Sequence, residues 1–223
     1  MCIRDRAGIS VVTDTATEPL TTAYMRDYLR VDDSIDDTII TNLIKSARMM
    51  VESYTGRTLC NKTLKLSVDF VNELDDYLWE GMRVAPDLAL KQNYITLPQS
   101  PVSSVTHIKY YDDSDNATTY ASSKYYLDSV RIPARVVLRN GEQWPTGLRV
   151  ANGIEITYVA GFGANATDVP EAIRLATTQL VAHLYENRGD MDGMQIPPSV
   201  MPFLMPYKIL GIGSTFNELR GGY

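Results

Sequence analysis

The glycine-rich segment Gly161-Phe162-Gly163-Ala164-Asn165-Ala166 is the part of this sequence most like a cofactor-binding signature. Its G-x-G-x-x-A spacing follows a predicted strand and precedes a predicted helix, as in loops that bind the pyrophosphate of a dinucleotide. The helix, however, is predicted to begin only after Asp168, and a carboxylate at a helix N-terminus opposes a phosphate. The chain also lacks the βαβ alternation that builds a parallel sheet. We therefore predict a plain turn and no cofactor.

The segment Asp113-Ser114-Asp115 begins like a calcium-binding loop. Such a loop needs a glycine at its sixth position and a bidentate glutamate at its twelfth. Neither is present, and the twelfth position is Lys124. We predict a solvated hairpin turn here and no metal site.

The histidines and cysteines form no recognisable reactive group. His107 and His183 both lie far from Cys2 and Cys60 in sequence, so the spacing typical of a zinc site is absent. No carboxylate stands beside a histidine or a second acid in a way that predicts an acid-base pair. We expect His183 to be a packed or interface side chain, His107 to face solvent and Cys60 to be a small buried apolar group. No catalytic residue is predicted.

Composition predicts a folded, soluble, intracellular chain. It has 223 residues, of which 44% are apolar and 22% charged, and a formal net charge of −6. This is enough apolar material for one sizeable core or two small ones. The chain lacks the basic character of a duplex-DNA binder, so any contact with DNA is expected to be local or repulsive. No apolar run approaches the ~18 residues that a membrane span requires.

Hydrophobic periodicity changes twice along the chain. A short helix over 22–30 and a long one over 34–55 are predicted first, the latter ending where Gly56 allows a left-handed cap. Alternating apolar residues then predict strands within 64–70, 94–97, 102–111, 124–127, 134–138 and 154–159. The stretch 72–92 fits neither period and is predicted to be an exposed excursion. A last long helix is predicted from Val169 to Arg188.

The predicted fold class is α+β: a helical bundle of two long helices plus short ones, interrupted by an antiparallel β module and followed by an extended C-terminal tail. The predicted organisation is an N-terminal arm over 1–20, a helical bundle over 21–58 and 168–189, an inserted β module over 59–167 and a C-terminal docking tail over 190–223. Residues 1–6 are interpreted as an assembly scar, because Met1-Cys2-Ile3-Arg4-Asp5 is what a transposase end used in sequencing libraries encodes.

The aromatic composition points to surfaces that a partner covers. The chain has 14 Tyr against 4 Phe and 2 Trp. Tyrosine combines a large apolar face with a hydroxyl that tolerates water, which suits such surfaces, although β-strand preference also favours it. The Met-rich and Pro-rich end of the chain indicates the same, because methionine adapts to irregular surfaces. Taken alone, these features predict a soluble scaffold or interaction protein.

A series of short sequence words follows a fixed order along the chain: Glu18-Pro19-Leu20-Thr21, Arg30-Val31-Asp32-Asp33, Val51-Glu52-Ser53-Tyr54-Thr55-Gly56-Arg57, Ile95-Thr96-Leu97-Pro98, Pro101-Val102, Tyr126-Leu127-Asp128, Trp144-Pro145, Ile156-Thr157-Tyr158-Val159-Ala160-Gly161-Phe162-Gly163, Val169-Pro170-Glu171 and Leu184-Tyr185-Glu186-Asn187-Arg188. In this order, and over about residues 15–210, the chain resembles the head-tail connector, or adaptor, proteins of tailed bacteriophages.

The resemblance implies a non-enzymatic virion component made in the host cytoplasm. It implies a homo-oligomeric ring of about a dozen copies that docks beneath the portal protein. Such a ring would extend the channel for double-stranded DNA without sequence-specific binding, and would offer a platform for the next neck, stopper or tail protein. The family brings no catalytic residues and no membrane contact. The alternatives are an enzyme of unknown chemistry and a general protein-binding module.

Two sets of contact residues are predicted. If the two long helices pack within a subunit, their remaining faces meet neighbours, and the candidates for polar contacts there are Arg48, Glu52, Arg57, Glu186 and Arg188. The C-terminal tail has too many apolar residues for a solvated linker, and the resemblance implies that it orders on the portal. The docking candidates are Val200, Met201, Phe203, Leu204, Met205, Tyr207, Ile209, Leu210 and Phe216.

Overall fold

The computed structural model describes residues 7–69, 93–188 and 195–209. The chain divides into two compact units. The first, called here the β unit, comprises Met1–Thr15 and Asn61–Gly161, and the second, called the helical unit, comprises Ala16–Cys60 and Phe162–Tyr223. The predicted scar over 1–6 and the predicted excursion over 72–92 lie outside the described residues.

The β unit is built from two antiparallel sheets. Its strands in the described residues are β1 (Ala7–Thr13), β2 (Lys62–Val68), β3 (Tyr94–Leu97), β4 (Val102–Tyr111), β5 (Ala117–Tyr120), β6 (Tyr125–Asp128), β7 (Ala134–Leu138) and β8 (Ile154–Ala160). One sheet has the order β1-β2-β8-β4-β5 and the other the order β3-β7-β6. Every strand pair is antiparallel.

The core of the β unit is formed by apolar residues of its central strands, which alternate strictly in β2. In β2, Leu64, Leu66 and Val68 are almost completely buried, while the residues between them are only partly covered. In β8, Tyr158 is fully buried and its hydroxyl donates to the Pro98 carbonyl at 2.9 Å, which satisfies the one polar atom of a large buried ring. Burial raises the pKa of the Tyr158 hydroxyl above its ordinary range.

The helical unit contains, in the described residues, α1 (Thr22–Leu29), α2 (Asp37–Thr55), α3 (Glu171–Glu186) and α4 (Met201–Leu204). Thr21 caps α1 by accepting the Tyr24 N–H, and Gly56 ends α2 in the left-handed conformation that glycine adopts without strain. The core is an apolar cluster drawn from all four helices, which includes Met25, Ile40, Ile44, Ala47, Val51, Ile173, Ala176, Leu180, Val181 and Leu204. Within the described ranges, no helix combines the length and apolar character that crossing a bilayer requires.

The predicted fold class is wrong. The described residues are mainly antiparallel sheet, with eight strands in two sheets, and the four helices do not make a bundle of two long helices. The helices were overweighted because a 3.6-residue apolar period is visible within one segment. Alternation likewise predicts single strands, but the pairing of strands into a sheet joins segments that are distant in sequence, and no local pattern shows it.

The first segment illustrates that error. Residues 7–13, predicted as part of an N-terminal arm, form β1 and pair with β2, with Ile9 opposite Leu66 and Val11 opposite Leu64. The segment carries no periodic signal strong enough to identify it as a strand, and its pairing partner lies more than fifty residues away in sequence.

Candidate assembly surfaces

The glycine-rich loop is closed by its own acidic residue. A Cβ placed on Gly163 would lie 2.1 Å from Asp168 Oδ2. The same oxygen accepts the Asn165 N–H at 2.9 Å and the Asn165 side-chain amide at 3.3 Å. A carboxylate therefore covers the backbone that a phosphate would have to approach.

The acidic segment that begins like a calcium-binding loop is a turn between β4 and β5, in which the Asp112 carboxylate accepts hydrogen bonds from other residues of the turn. Asp112 Oδ1 accepts the N–H groups of Ser114 and Asn116, and its Oδ2 accepts the Asn116 side-chain amide at 3.1 Å. The backbone hydrogen bond from Asn116, followed by its side-chain bond, lowers the pKa of Asp112. These acceptor atoms organise the hairpin turn.

The two histidines and Cys60 lie at three separate places in the chain, each buried or partly buried. His183 Nδ1 lies 3.2 Å from the Asn187 side-chain nitrogen at the end of α3, and Cys60 is fully buried in the helical core. His107 is half-buried in β4, whereas the sequence analysis expected it to face solvent. Across residues 7–69, 93–188 and 195–209, no three His, Cys, Asp or Glu side chains come together as a metal site would need.

Two of the predicted interface residues are internal. The Arg48 side chain is 3% exposed, with its Nε 2.8 Å from Glu18 Oε2 and its Nη1 3.3 Å from Glu52 Oε2. Glu52 Oε1 in turn accepts the Leu59 N–H at 3.0 Å. This network ties α2 to the segments on either side of it, so its charges are used inside the subunit. Arg48 and Glu52 are thus paired within the subunit, and their contact with a neighbour stays a prediction.

Arg57 is also engaged within the subunit. Its Nε donates to the carbonyl of Tyr207, and the N–H of Ile209 donates to the carbonyl of Thr55 at 2.8 Å. Burial lowers the pKa of the Arg57 guanidinium. Lys208 lies over the ring of Tyr54, 5.0 Å from its centre. The segment before residue 210 is thus bound along the C-terminal end of α2.

The last two predicted interface residues lie on the surface at the end of α3. Glu186 is exposed. Arg188 is about half exposed, contacts Asp36 at 3.5 Å and stacks 4.1 Å from the ring centre of Tyr185. The Tyr185 hydroxyl donates to Asp36, and this hydrogen bond raises the pKa of Tyr185. Arg188 therefore has a partner inside the subunit and an exposed part that a neighbour could contact.

The docking candidates divide into core and surface. Val200 and Leu204 are 1% and 0% exposed and belong to the helical core, and their role as docking anchors stays a prediction. Phe203, Tyr207 and Ile209 are partly buried, whereas Met201 and Met205 are exposed by 36% and 65%. Leu210 and Phe216 lie outside the described residues.

The outer face of α2 is a surface that the sequence analysis missed. Ile39 and Met49 are exposed by 39% and 62%, and the face has one charged side chain. Its exposed members are Thr38, Ile39, Asn42, Lys45, Ser46, Met49 and Ser53. The prediction of a helix over 34–55 does not say which of its faces is exposed. A helical projection would have shown the scarcity of charge on this face.

A family model for head completion proteins matches residues 19–210. The chain belongs to the head completion protein family. Head completion proteins are structural components of the head-tail connector, and this is the role of the chain in the virion. The resemblance to head-tail connector proteins, drawn from the ordered sequence words, is confirmed.

Solved structures of chains from gene transfer agent particles share the fold of this head completion protein. A chain from the neck of an empty gene transfer agent particle is 22% identical, with a TM-score of 0.72, over 93% of this chain and 98% of that one. A chain from the neck of the native particle is 24% identical, with a TM-score of 0.68, over the same shares. Among curated protein sequences, the comparison finds no match.

Proposed function

We propose that this head completion protein forms a closed ring of about a dozen identical copies beneath the portal. The ring extends the DNA channel and provides the platform on which the next neck, stopper or tail protein assembles. The observation that carries the proposal is the family match over residues 19–210. The fold similarity to neck chains from particles computed with six-fold and twelve-fold symmetry supports it.

The outer face of α2 is the proposed contact between copies in the helical unit. A cyclic ring joins two different surfaces of each copy, so each contact must be complementary without being self-complementary. Interface centres are depleted of charge and enriched in methionine. Met49 and Ile39 supply apolar area on this face, and Lys45 is its one charge. With Arg48 and Glu52 internal, Glu186 and Arg188 remain the candidates for polar rim contacts.

The exposed part of the docking set is the proposed contact with the portal. Met201 and Met205 stand out from a short helix that is anchored by the buried side chains of Val200 and Leu204. The anchoring fixes the position of both methionines before docking, which reduces the ordering cost of binding. Burial of one large apolar side chain contributes ~1.5–3 kcal/mol of binding free energy, so burial of both methionines stabilises the contact with the portal.

The negative net charge of the chain is the basis for the proposed absence of tight DNA binding. Each copy has a formal net charge of −6, and a ring multiplies this value. Like charge repels the phosphate backbone, so DNA is expected to pass through the ring without adhering to it.

Native mass measurement and electron microscopy of the purified chain, alone and mixed with the portal protein of the same virus, test the proposed ring. We expect a monomer or weak oligomer alone and a cyclic assembly on the portal. A small oligomer of one fixed size that does not bind the portal protein would contradict the proposal. Tight binding of random-sequence duplex DNA at physiological salt would contradict the proposed role of charge.

A further inference from the structure

Strand β1 is an open edge of the five-stranded sheet. It pairs with β2 on one side, and no described strand pairs with its other side. Ile9 and Val11 lie opposite Leu66 and Leu64, so they extend the buried row of the core, yet they are exposed by 44% and 56%. Val12 is exposed by 55%. The apolar face of the sheet therefore continues onto a strand that the described residues leave uncovered.

The other end of the same sheet has a second open edge. β5 pairs only with residues 108–111 of β4, and the chain then leaves the sheet for a 3-10 turn at Ser122–Lys124. Residues 102–107 of β4 pair with β8 alone among the described strands. No described strand occupies the position beside them, in line with β5. Ser103, Ser104 and Thr106 are exposed there.

Both edges lack the charged residues and the prolines that often prevent an edge strand from pairing with another chain. Natural edge strands carry charged residues, especially lysine, or proline. β1 reads AGISVVT and residues 102–107 read VSSVTH, so neither contains Asp, Glu, Lys, Arg or Pro. Both are rich in β-branched residues, which favour strands. Both edges contain register irregularities, one in β1 between Val11 and Thr13 and two within residues 102–107, so the two irregular edges must match for the strands to pair.

The polarity and length of the two edges match. Each step from β1 through β2 and β8 to β4 reverses direction, so β1 and β4 run in opposite directions. Copies related by rotation about an axis along the strands would bring β1 of one copy antiparallel to β4 of the next. The seven residues of β1 are enough to cover the vacant position, which spans ~20 Å at ~3.3 Å per residue.

We propose that β1 of one copy adds to the five-stranded sheet of a second copy, beside residues 102–107 of its β4, so that the sheet continues from subunit to subunit. The partner is a second copy because the same sheet carries both edges. The two edge strands run in opposite directions, and neither β1 nor residues 102–107 of β4 contain Asp, Glu, Lys or Arg. This inference rests on the proposed ring, since a contact between two different edges propagates and closes only in a cyclic assembly.

Cysteine pairs across the two edges test the proposal. Ser10 lies opposite Lys65, and Ser104 lies opposite Val159, so both side chains are on the sheet face away from the core. Within one copy they are three strand spacings apart, ~14 Å, whereas a disulfide needs Cα atoms within ~7 Å. In a Cys2→Ser background, Ser10→Cys combined with Ser104→Cys can therefore form only disulfides between copies. Ser10→Cys combined with His107→Cys covers a shifted register.

The expected result, after oxidation of portal-bound protein, is a ladder of disulfide-linked species larger than dimers from one of the double variants. Each single variant has one surface cysteine and can give dimers at most. Val11→Lys, which places a charge on the open edge, is expected to lower the yield of the ladder about tenfold in the same cysteine background. The matched control is Val130→Lys, because Val130 is 94% exposed in a loop of the same unit and its substitution should leave the yield unchanged.

The outcomes separate this proposal from the proposed ring. If the wild-type chain forms a ring by mass and microscopy, but neither double variant gives species beyond dimers, the pairing of the edges is wrong and the ring stands. An unchanged ladder in Val11→Lys also overturns the pairing. If the wild-type chain forms no ring and the double variants form no ladder, both proposals fail.

Discussion

The main-chain N–H of Ile209 donates to the main-chain carbonyl of Thr55 at 2.8 Å, which fastens the segment after α4 to the C-terminal end of α2. Five residues earlier, Leu204 is completely buried in the helical core. Leu204→Ala is therefore expected to lower the free energy of unfolding by ~2–5 kcal/mol, because it leaves a cavity. Urea denaturation measures this. Met205→Ala, at a neighbouring exposed position, should change stability by less than ~0.5 kcal/mol. An equal, small effect of both variants would show that the segment is not part of the core.

Gly163 has no room for a side chain. Its Cβ would lie 2.1 Å from Asp168 Oδ2, and that oxygen already accepts hydrogen bonds from Asn165. Gly163→Ala should therefore displace the carboxylate and destabilise the protein by ~1–3 kcal/mol in thermal or urea denaturation. Gly8→Ala is the control, since a Cβ at Gly8 meets nothing within 4 Å. A neutral Gly163→Ala variant would contradict the described closure of the loop.

Removing Arg48 should be costly because it leaves carboxylates without their buried partner. Arg48→Met is expected to reduce the free energy of unfolding by ~3–5 kcal/mol, as for the breaking of a buried ion pair. Arg26→Met, which removes a more exposed pair with Asp37 in the same unit, should cost less than ~1 kcal/mol. Comparable losses from both variants would show that the Arg48 network is not buried in solution.

Two exposed methionines of the helical unit, Met49 and Met205, should affect different assembly steps. Met205→Glu is expected to weaken binding to the portal at least about tenfold, because the charge must be desolvated at an apolar contact. Surface plasmon resonance with immobilised portal measures this, and the thermal unfolding midpoint should not change.

Met49→Glu is the matched control, because Met49 and Met205 are exposed by 62% and 65%. It should leave the first contact of a single copy with the portal intact and prevent closure of the ring by neighbouring copies, as seen by native mass measurement. If the two substitutions exchange these effects, the assignments of the two surfaces must be exchanged.

The Asp112 turn should contribute a pH dependence on the acid side. Hydrogen bonds from Asn116 lower the pKa of Asp112 in the folded protein, so its stabilising effect is present above the ordinary carboxyl pKa and is lost as the pH falls through the lowered value. Carboxyl-detected NMR titration should show a pKa below the ordinary range. In Asp112→Asn, the free energy of unfolding should fall less steeply as the pH is lowered into the acid range. Asp113→Asn, in the same turn, should show the same pH dependence as the unmodified protein. A profile unchanged by Asp112→Asn would refute this contribution.

The candidate surfaces were only partly predictable from the sequence. The residue types of the interface set suited polar contacts, but Arg48, Glu52 and Arg57 are bonded inside the subunit, whereas Glu186 and Arg188 are exposed. The docking set was chosen by apolar character, which does not distinguish buried Leu204 from exposed Met205. Periodicity in a short Pro-interrupted segment is too weak to assign a buried face.

Consecutive residues encode the alternation that buries Leu64 and Leu66, the end of α2 at Gly56, and the ordered words that resemble head-tail connector proteins. The folded chain was needed to show that residues 7–13 form an edge strand, that eight strands pair into two sheets, and that Arg48 contacts Glu18, thirty positions away. The physical reason is that a period is a property of one segment. Burial, strand pairing and ion pairing depend on atoms supplied by segments distant in sequence, and folding brings these together only by the packing of the whole unit.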